Sequence, residues 1–339
     1  MAVTMHDVAR LAGVSQSTVS RVLNHDPETL ALSADTIARV QTAANDLGYR
    51  MDPLARAMKG KATQMIGITV RRYDLFLTWL VSELTVRFRS AGYTTIQSSA
   101  ENIPSETLRL HNVFETAFCD GLVLAADPEG LDEALFASLR KKHLVMTAWG
   151  EPIPGIPLIN TDNHLGTRLM MNHLFELGHK RIAFLDVGWS GDHYQRQVIY
   201  ETMMKEAGLY REAYFLVTGE GFEAGMQAAQ ILMALEEPPT AIFASEDRLA
   251  IGVIKAAHEM GIAIPKELSV VGFDGLPVAS YCYPTLTTIR QPVERIADAV
   301  VELLDDLIFN RVINDARYDT IWVPPTFVQG ASSAPPRRS

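Results

Sequence analysis

Cysteine is nearly absent: Cys119 and Cys282 are the only two in 339 residues. Two are too few for a disulfide framework or, by themselves, for a zinc cage, and they fit a reducing compartment. No run approaches the about 18 consecutive apolar residues of a membrane-spanning helix. An acid at Asp7 also interrupts any apolar leader, so the chain is expected in the cytoplasm, with no membrane partner. The 22 Gly and 17 Pro are ordinary for this length and exclude collagen-like and low-complexity architectures. Positive charge is not in excess either, since the formal net charge is −10, and such a balance ordinarily argues against nucleic acid. What is present is length. At 47% hydrophobic, 339 residues describe a soluble chain of two or three domains of about 150 residues each.

The acidic excess is unevenly placed. Residues 1–60 hold six bases and six acids, so the whole surplus of ten acids lies beyond residue 60. Within residues 4–23, Val8, Leu11, Val14, Val19 and Val22 fall at helical spacings interrupted by Ala12-Gly13-Val14-Ser15, which predicts two short helices meeting at a turn. Thr4 and Ser15 suit their N-caps, with Asp7 adding charge of the right sign to the first turn. A third helix follows Ser33, with Ile37, Val40, Ala44 and Leu47 on one stripe and Gly48 as the stop. A Gly turn between short helices is the helix-turn-helix pattern, whose second helix enters the DNA major groove. Here that helix begins Gln16-Ser17-Thr18-Val19-Ser20-Arg21. Gln pairs bidentately with adenine and Arg with guanine, while Ser and Thr reach bases or phosphates. A solvated helix face on a protein-binding bundle is the alternative.

The run from Thr4 to Asn24, TMHDVARLAGVSQSTVSRVLN, closely resembles the DNA-binding headpiece of the lactose/galactose-repressor (LacI/GalR) family of bacterial transcription regulators. The likeness continues through Ala43-Ala44-Asn45-Asp46-Leu47-Gly48-Tyr49. It implies a headpiece over 1–50, a hinge helix and linker over 51–61, and base reading by Gln16, Ser17 and Arg21. Further DNA contacts are implied at Thr4, Ser15, Thr18, Ser20, Asn24 and Tyr49. In the hinge they come from Leu54, Ala55, Arg56 and Met58, with Met58 where the family places an apolar wedge between base steps. Asp52-Pro53 departs from the usual Pro-Asn entry to this hinge, and the loop 25–32 is longer than in many members. With a headpiece of zero net charge, DNA binding is expected to depend on dimerisation and hinge more than on bulk charge.

Beyond Lys61, apolar runs at 65–70, 93–97, 121–125, 144–148, 181–185, 214–218, 241–244 and 268–273 alternate with amphipathic stretches. This alternation predicts an α/β fold with parallel sheets covered by helices. Pro152, Pro154 and Pro157 around Gly155 break the pattern and read as a boundary between two lobes. Family signatures follow in order: Asp120-Gly121-Leu122-Val123, Asn160-Thr161-Asp162-Asn163, Leu177-Gly178-His179-Lys180-Arg181-Ile182, Val271-Gly272-Phe273-Asp274 and Pro284-Thr285-Leu286-Thr287-Thr288-Ile289. They resemble the periplasmic-binding-protein-like regulatory domain. The resemblance implies such an effector-binding and dimerisation domain over 62–330. Its N-lobe would comprise about 62–161 and 290–322, and its C-lobe about 162–289 and 323–330. The Ser-, Pro- and Arg-rich tail 331–339 is expected to be disordered.

In open α/β sheets ligands bind beyond the carboxyl ends of strands. Arg71, Arg72, Tyr73 and Asp74 follow the first apolar run, Trp149 the fourth, Trp189 and Asp192 the fifth, Glu246 and Asp247 the seventh, and Asp274 the eighth. Aromatic faces combined with carboxylates and Arg suit a sugar. The family resemblance implies ligand contacts at Asp274 and Arg196 and places Asp162 at a cleft crossover; Phe222 completes the effector set. Glu246 stands where the family commonly has Asn, and Ile199 where Gly follows the binding Arg.

No catalytic or cofactor-binding arrangement emerges. The segment 219–225 has one residue too many for a dinucleotide fingerprint, and Gly188-Trp189-Ser190-Gly191 lacks the nucleophile-elbow frame. His164, His173 and His179 do not have zinc spacing and read as capping or helix-surface residues. The expectation is therefore a non-enzymatic regulator, commonly a repressor. It would bind near-palindromic operator DNA as a homodimer under control of a sugar-like effector. A cytosolic carbohydrate-binding protein or enzyme with a helical protein-interaction module is the competing reading.

Overall fold

A computed structural model describes residues 3–23, 32–49, 62–70, 74–99, 119–125, 143–148, 152–188, 191–309 and 320–337. The chain divides into two compact units, Met1–Thr63 and Gln64–Ser339.

In the first unit, α1 (Met5–Ala12), α2 (Gln16–Leu23) and α3 (Ala34–Asp46) surround one small core. Val8, Ala12, Val19, Val22, Val40 and Ala43 are buried there. Thr4 and Asp7 form a reciprocal capping box on α1. Ser15 Oγ accepts the Thr18 N–H at 3.1 Å, and Ser33 Oγ accepts that of Thr36 at 3.2 Å. Gly13 takes φ of +66° at the turn, where a Cβ would be strained.

Among the described residues, the second unit holds two six-stranded sheets. Its first sheet is ordered β11-β5-β4-β3-β1-β2, from β1 (Met65–Val70), β2 (Thr94–Ser99), β3 (Gly121–Ala125), β4 (His143–Thr147), β5 (Leu158–Thr161) and β11 (Thr320–Val323). Every pairing in it is parallel. The other sheet, ordered β12-β10-β9-β8-β6-β7, contains β6 (Ile182–Asp186), β7 (Phe215–Val217), β8 (Ala241–Ala244), β9 (Ser269–Asp274), β10 (Thr287–Arg290) and β12 (Thr326–Val328). Only β12 is antiparallel. Strands β3, β6 and β9 are buried along their whole length, as apolar runs in helix-covered parallel sheets must be.

Helices α4 (Leu75–Ser90) and α9 (Val293–Ile308) pack on the first sheet. Helices α5 (Asn163–Glu176) and α6 (Asp192–Glu206) cover one face of the second. Its other face carries α7 (Gly221–Met233) and α8 (Asp247–Glu259). Eight of the twelve strands match the apolar runs. The others, β5, β10, β11 and β12, have only three or four residues each, and they are the strands that flank the crossings. The chain leaves the first sheet after Thr161, returns after Arg290 and leaves again after Val323. The Pro-rich stretch at 152–157 therefore precedes β5, the strand before the first crossing, rather than separating the lobes. Arg290 ends β10 and Val323 ends β11.

The expected disorder of the tail is corrected over 331–337. Val270 N donates to Ser332 O at 2.8 Å, and Ser332 Oγ donates to Val270 O at 2.5 Å and accepts the Thr287 N–H at 2.8 Å. Ala334 N donates to Ser269 Oγ at 3.0 Å. Composition predicted a solvated segment, but these tertiary hydrogen bonds supply partners that local sequence does not reveal. His179 is likewise not on a helix surface. It is buried, with Nδ1 2.9 Å from Thr240 Oγ1 and Nε2 2.9 Å from Ala334 O, so it joins the second sheet to the tail.

Candidate effector cleft and DNA-reading helix

On α2 the buried Val19 and Val22 fix which face is left outward. Gln16, Ser17 and Arg21 are exposed on it, with Thr18 and Ser20 half-buried. Ser15 serves as the cap, its Oγ also 2.7 Å from Ser17 Oγ. Thr4 is engaged in the α1 capping box, and Tyr49 packs half-buried against the helical core. Asn24, Leu54, Ala55, Arg56 and Met58 lie outside the described residues.

In the second unit the carboxyl ends of both sheets converge on one polar network. Its centre is Arg196 on α6, buried although it carries a full charge. Nε donates to Asn163 Oδ1 at 2.9 Å, Nη1 donates to Ser245 O at 2.5 Å, and the guanidinium carbon stands 3.7 Å from the centre of the Phe273 ring. Asp274 Oδ1 lies 3.6 Å from Nη1 and accepts Gln291 Nε2 at 2.7 Å. Gln291 Oε1 in turn accepts Thr161 Oγ1 at 2.6 Å. Asp192 accepts from Asn160 at 2.6 Å and from Asn163 at 2.9 Å. Asn160 and Thr161 end a strand of the first sheet, whereas Asp192 and Asp274 belong to the second lobe. The hydrogen bonds therefore link the lobes through the same carboxylates that face Arg196.

Beside this network, Arg248 Nη2 lies 2.6 Å from Glu246 Oε2, 3.8 Å from Glu220 Oε2 and 4.0 Å from Asp74 Oδ2. Asp74 follows β1, so this cluster too spans both lobes. Glu246 also accepts the Gly221 N–H at 3.0 Å. Asp247 is buried and accepts from Thr288 Oγ1 at 2.5 Å and from Leu276 N at 2.7 Å. Burial pushes the carboxyls of Asp186, Asp192, Glu246 and Asp274 upward, and Arg196 opposes this at the three aspartates. Asp247 is pushed up to about 7, again by burial, against the donors that hold its charged form. His193 is held well below its ordinary value by burial and by Arg196 and Arg248.

A carboxyl whose folded value is raised binds its proton more tightly in the native state. Its stabilising effect is therefore present below the unfolded value and lost as pH rises through the folded one. The wild type is expected to lose stability relative to Asp247→Asn as pH rises from about 4 to about 7. Paired thermal melts check this, since contributions common to both proteins cancel; a constant difference across that window contradicts it.

Arg196, Glu246, Asp247 and Asp274 thus come together as the sequence led one to expect. Asp162 caps α5 by accepting the Leu165 N–H at 2.8 Å, and Asp74 caps α4 by accepting that of Leu77 at 2.6 Å. Phe222 sits on the exposed first turn of α7. Arg71, Arg72, Tyr73, Trp149 and Trp189 lie outside the described residues. Sequence reasoning missed Asn160, Asn163, Asp186, His193, Arg248 and Gln291. Asp186 was accessible to the strand-end rule, while Asn163 and Gln291 follow strands that did not register as apolar runs. Among the described residues no helix is long and apolar enough to cross a membrane, and no three potential metal ligands converge.

Comparison with known proteins gives the architecture its place. The family described as "Bacterial regulatory proteins, lacI family" matches residues 4–52, and "Periplasmic binding protein-like domain" matches 171–333. The transcriptional repressor CytR of Escherichia coli K12 is 30% identical over 315 residues, covering 90% of each chain. The chain belongs to the lacI family. Another relative of this lacI-family protein is the sucrose operon repressor of Streptococcus mutans, 31% identical over 90% of this chain and 92% of the relative. In structure the protein is similar to the Lac repressor bound to ONPG in the repressed state, with a TM-score of 0.80 at 25% identity over 98% of this chain and 100% of that one. The lacI-family chain is thus a DNA-binding regulator of transcription, with a helix-turn-helix unit preceding a two-sheet periplasmic-binding-protein-like domain.

Proposed function

We propose that this regulator is a repressor acting in the cytoplasm as a homodimer on near-palindromic operator DNA, and that a small carbohydrate between the lobes sets its DNA affinity. The observation that carries the effector half is the Asn160–Asp192 and Thr161–Gln291–Asp274 linkage across the lobes. A ligand hydroxyl that competes for Asp192 or Asp274 also disturbs the bonds that set the lobe angle, so occupancy and lobe geometry are one equilibrium. The carboxylates, amides and hydroxyls gathered there suit several convergent hydroxyl donors. The operator half rests on the outward polar face of α2, with Gln16 and Ser17 at its N-terminal end and Arg21 one turn on.

Both halves have direct tests. Arg21→Ala is expected to relax base preference at one symmetric pair of operator positions, at a cost of about 1–3 kcal/mol per contact; an unchanged preference contradicts base reading by Arg21. Asp274→Ala is expected to abolish the response of DNA binding to a carbohydrate that shifts the wild type. A normal titration curve in that variant moves the anchor elsewhere.

A further inference from the structure

The two guanidiniums of the cleft each have several acidic side chains around them. Asp186, Asp192 and Asp274 act on Arg196, and Asp74, Glu220 and Glu246 stand around Arg248. His193 between them is held towards its neutral form. The inner cluster also contains an incomplete group. Asp186 ends β6 only 2% exposed; its Oδ2 accepts the Gly188 N–H at 3.1 Å, and its Oδ1 has no hydrogen-bond partner. A buried carboxylate oxygen without a donor is costly. Here it lies in the field of Arg196, at a strand carboxyl end where ligands bind in this architecture.

A wholly neutral ligand satisfies hydrogen bonds but adds no cation to this gathering of acids. An anionic one adds repulsion. A bare metal ion lacks a ligand set, because no three suitable groups converge among the described residues. We propose that the effector of this cleft bears a protonated amine beside its hydroxyls, as an aminodeoxy sugar does, with the ammonium donating to Asp186 Oδ1. This rests on the carbohydrate reading above and narrows it. An ammonium has three donors, so it can supply the missing partner of Asp186 Oδ1 and keep two for further acceptors. It also does electrostatically what protonation of these acids does, and burial already favours their protonated forms. Glu246 in place of an amide side chain adds to the same bias, as does the Glu220 and Asp74 pair at Arg248. Phosphorylated sugars are disfavoured by the same field.

The test uses the wild-type, full-length protein at neutral pH, with thermal stabilisation and operator binding as readouts. Its probes are the matched pairs glucose and glucosamine, galactose and galactosamine, and mannose and mannosamine, each with its N-acetylamino and 6-phosphate counterparts. The amino member of at least one pair is expected to bind about 10- to 100-fold more tightly than its hydroxyl partner, the range of a hydrogen bond to a charged group. N-acetylation, which removes the charge and keeps the nitrogen, should abolish the advantage, and Asp186→Asn should narrow it about tenfold. Equal or tighter binding by the neutral member overturns the amine proposal and leaves the carbohydrate reading standing. An effect confined to the 6-phosphates overturns the proposal by reversing the sign of the charge. No effect from any probe rejects both readings.

Discussion

Replacing Arg196 by Met is expected to destabilise the regulatory domain by about 3–5 kcal/mol, the cost of removing one partner from a buried charge cluster. Met keeps an apolar stem against the Phe273 ring but offers no donor to Asn163 Oδ1 or Ser245 O and no charge to Asp186, Asp192 and Asp274. Three buried carboxyls are then left to repel one another or to take up protons. The loss should accordingly be greater at alkaline than at mildly acidic pH, because protonation removes the repulsion. Urea unfolding of wild type and variant at two pH values measures both effects. A loss below about 1 kcal/mol, the size of an ordinary surface change, would show that Arg196 does not organise the cleft.

Gly225→Ala should cost about 3 kcal/mol by overpacking. A Cβ at Gly225 would lie 2.1 Å from Leu249 O, and one at Gly252 only 2.0 Å from Phe222 O. In both cases the obstacle is backbone, so a side-chain rotation cannot make room and helices α7 and α8 must separate. That movement also displaces the first turn of α8, which carries Asp247 and Arg248 into the cleft. Gly219→Ala is the control, since a Cβ there would meet nothing closer than Ala224 Cβ, 3.8 Å away. Thermal melts of the two variants should differ clearly; matching melting temperatures would mean that the α7–α8 contact is not held at backbone distance.

The sequence made local features legible and left long-range ones obscure. Thr4 with Asp7, Ser15, Ser33 and Gly13 marked the helices of the first unit because caps and left-handed turns depend on neighbours a few residues away. Buried parallel strands showed as apolar runs for the same reason. The strands flanking the crossings are too short for periodicity to register, so the hydrogen bonds of Asn160 and Gln291 across the lobes were not legible. Asp186 looked like the end of an apolar run, and its significance arises only when α6 brings Arg196 near it. The tail shows the opposite failure. Its composition suits a solvated segment, yet Ser332 and Ala334 complete hydrogen bonds around β9 and β10. The outward polar face of α2 was legible because the buried Val19 and Val22 fix which side is left outward.

The central claim is that a dimer of this chain reads a specific operator. Selection of bound fragments from random DNA duplexes by the purified full-length protein, at near-physiological salt, tests it most directly. Enrichment of an inverted repeat is the expected result, with half-sites spaced for two recognition helices on one face of the duplex. Failure to enrich any sequence, both alone and with the neutral and amino sugars present, would contradict the claim and favour a carbohydrate-binding protein whose helical unit contacts another protein.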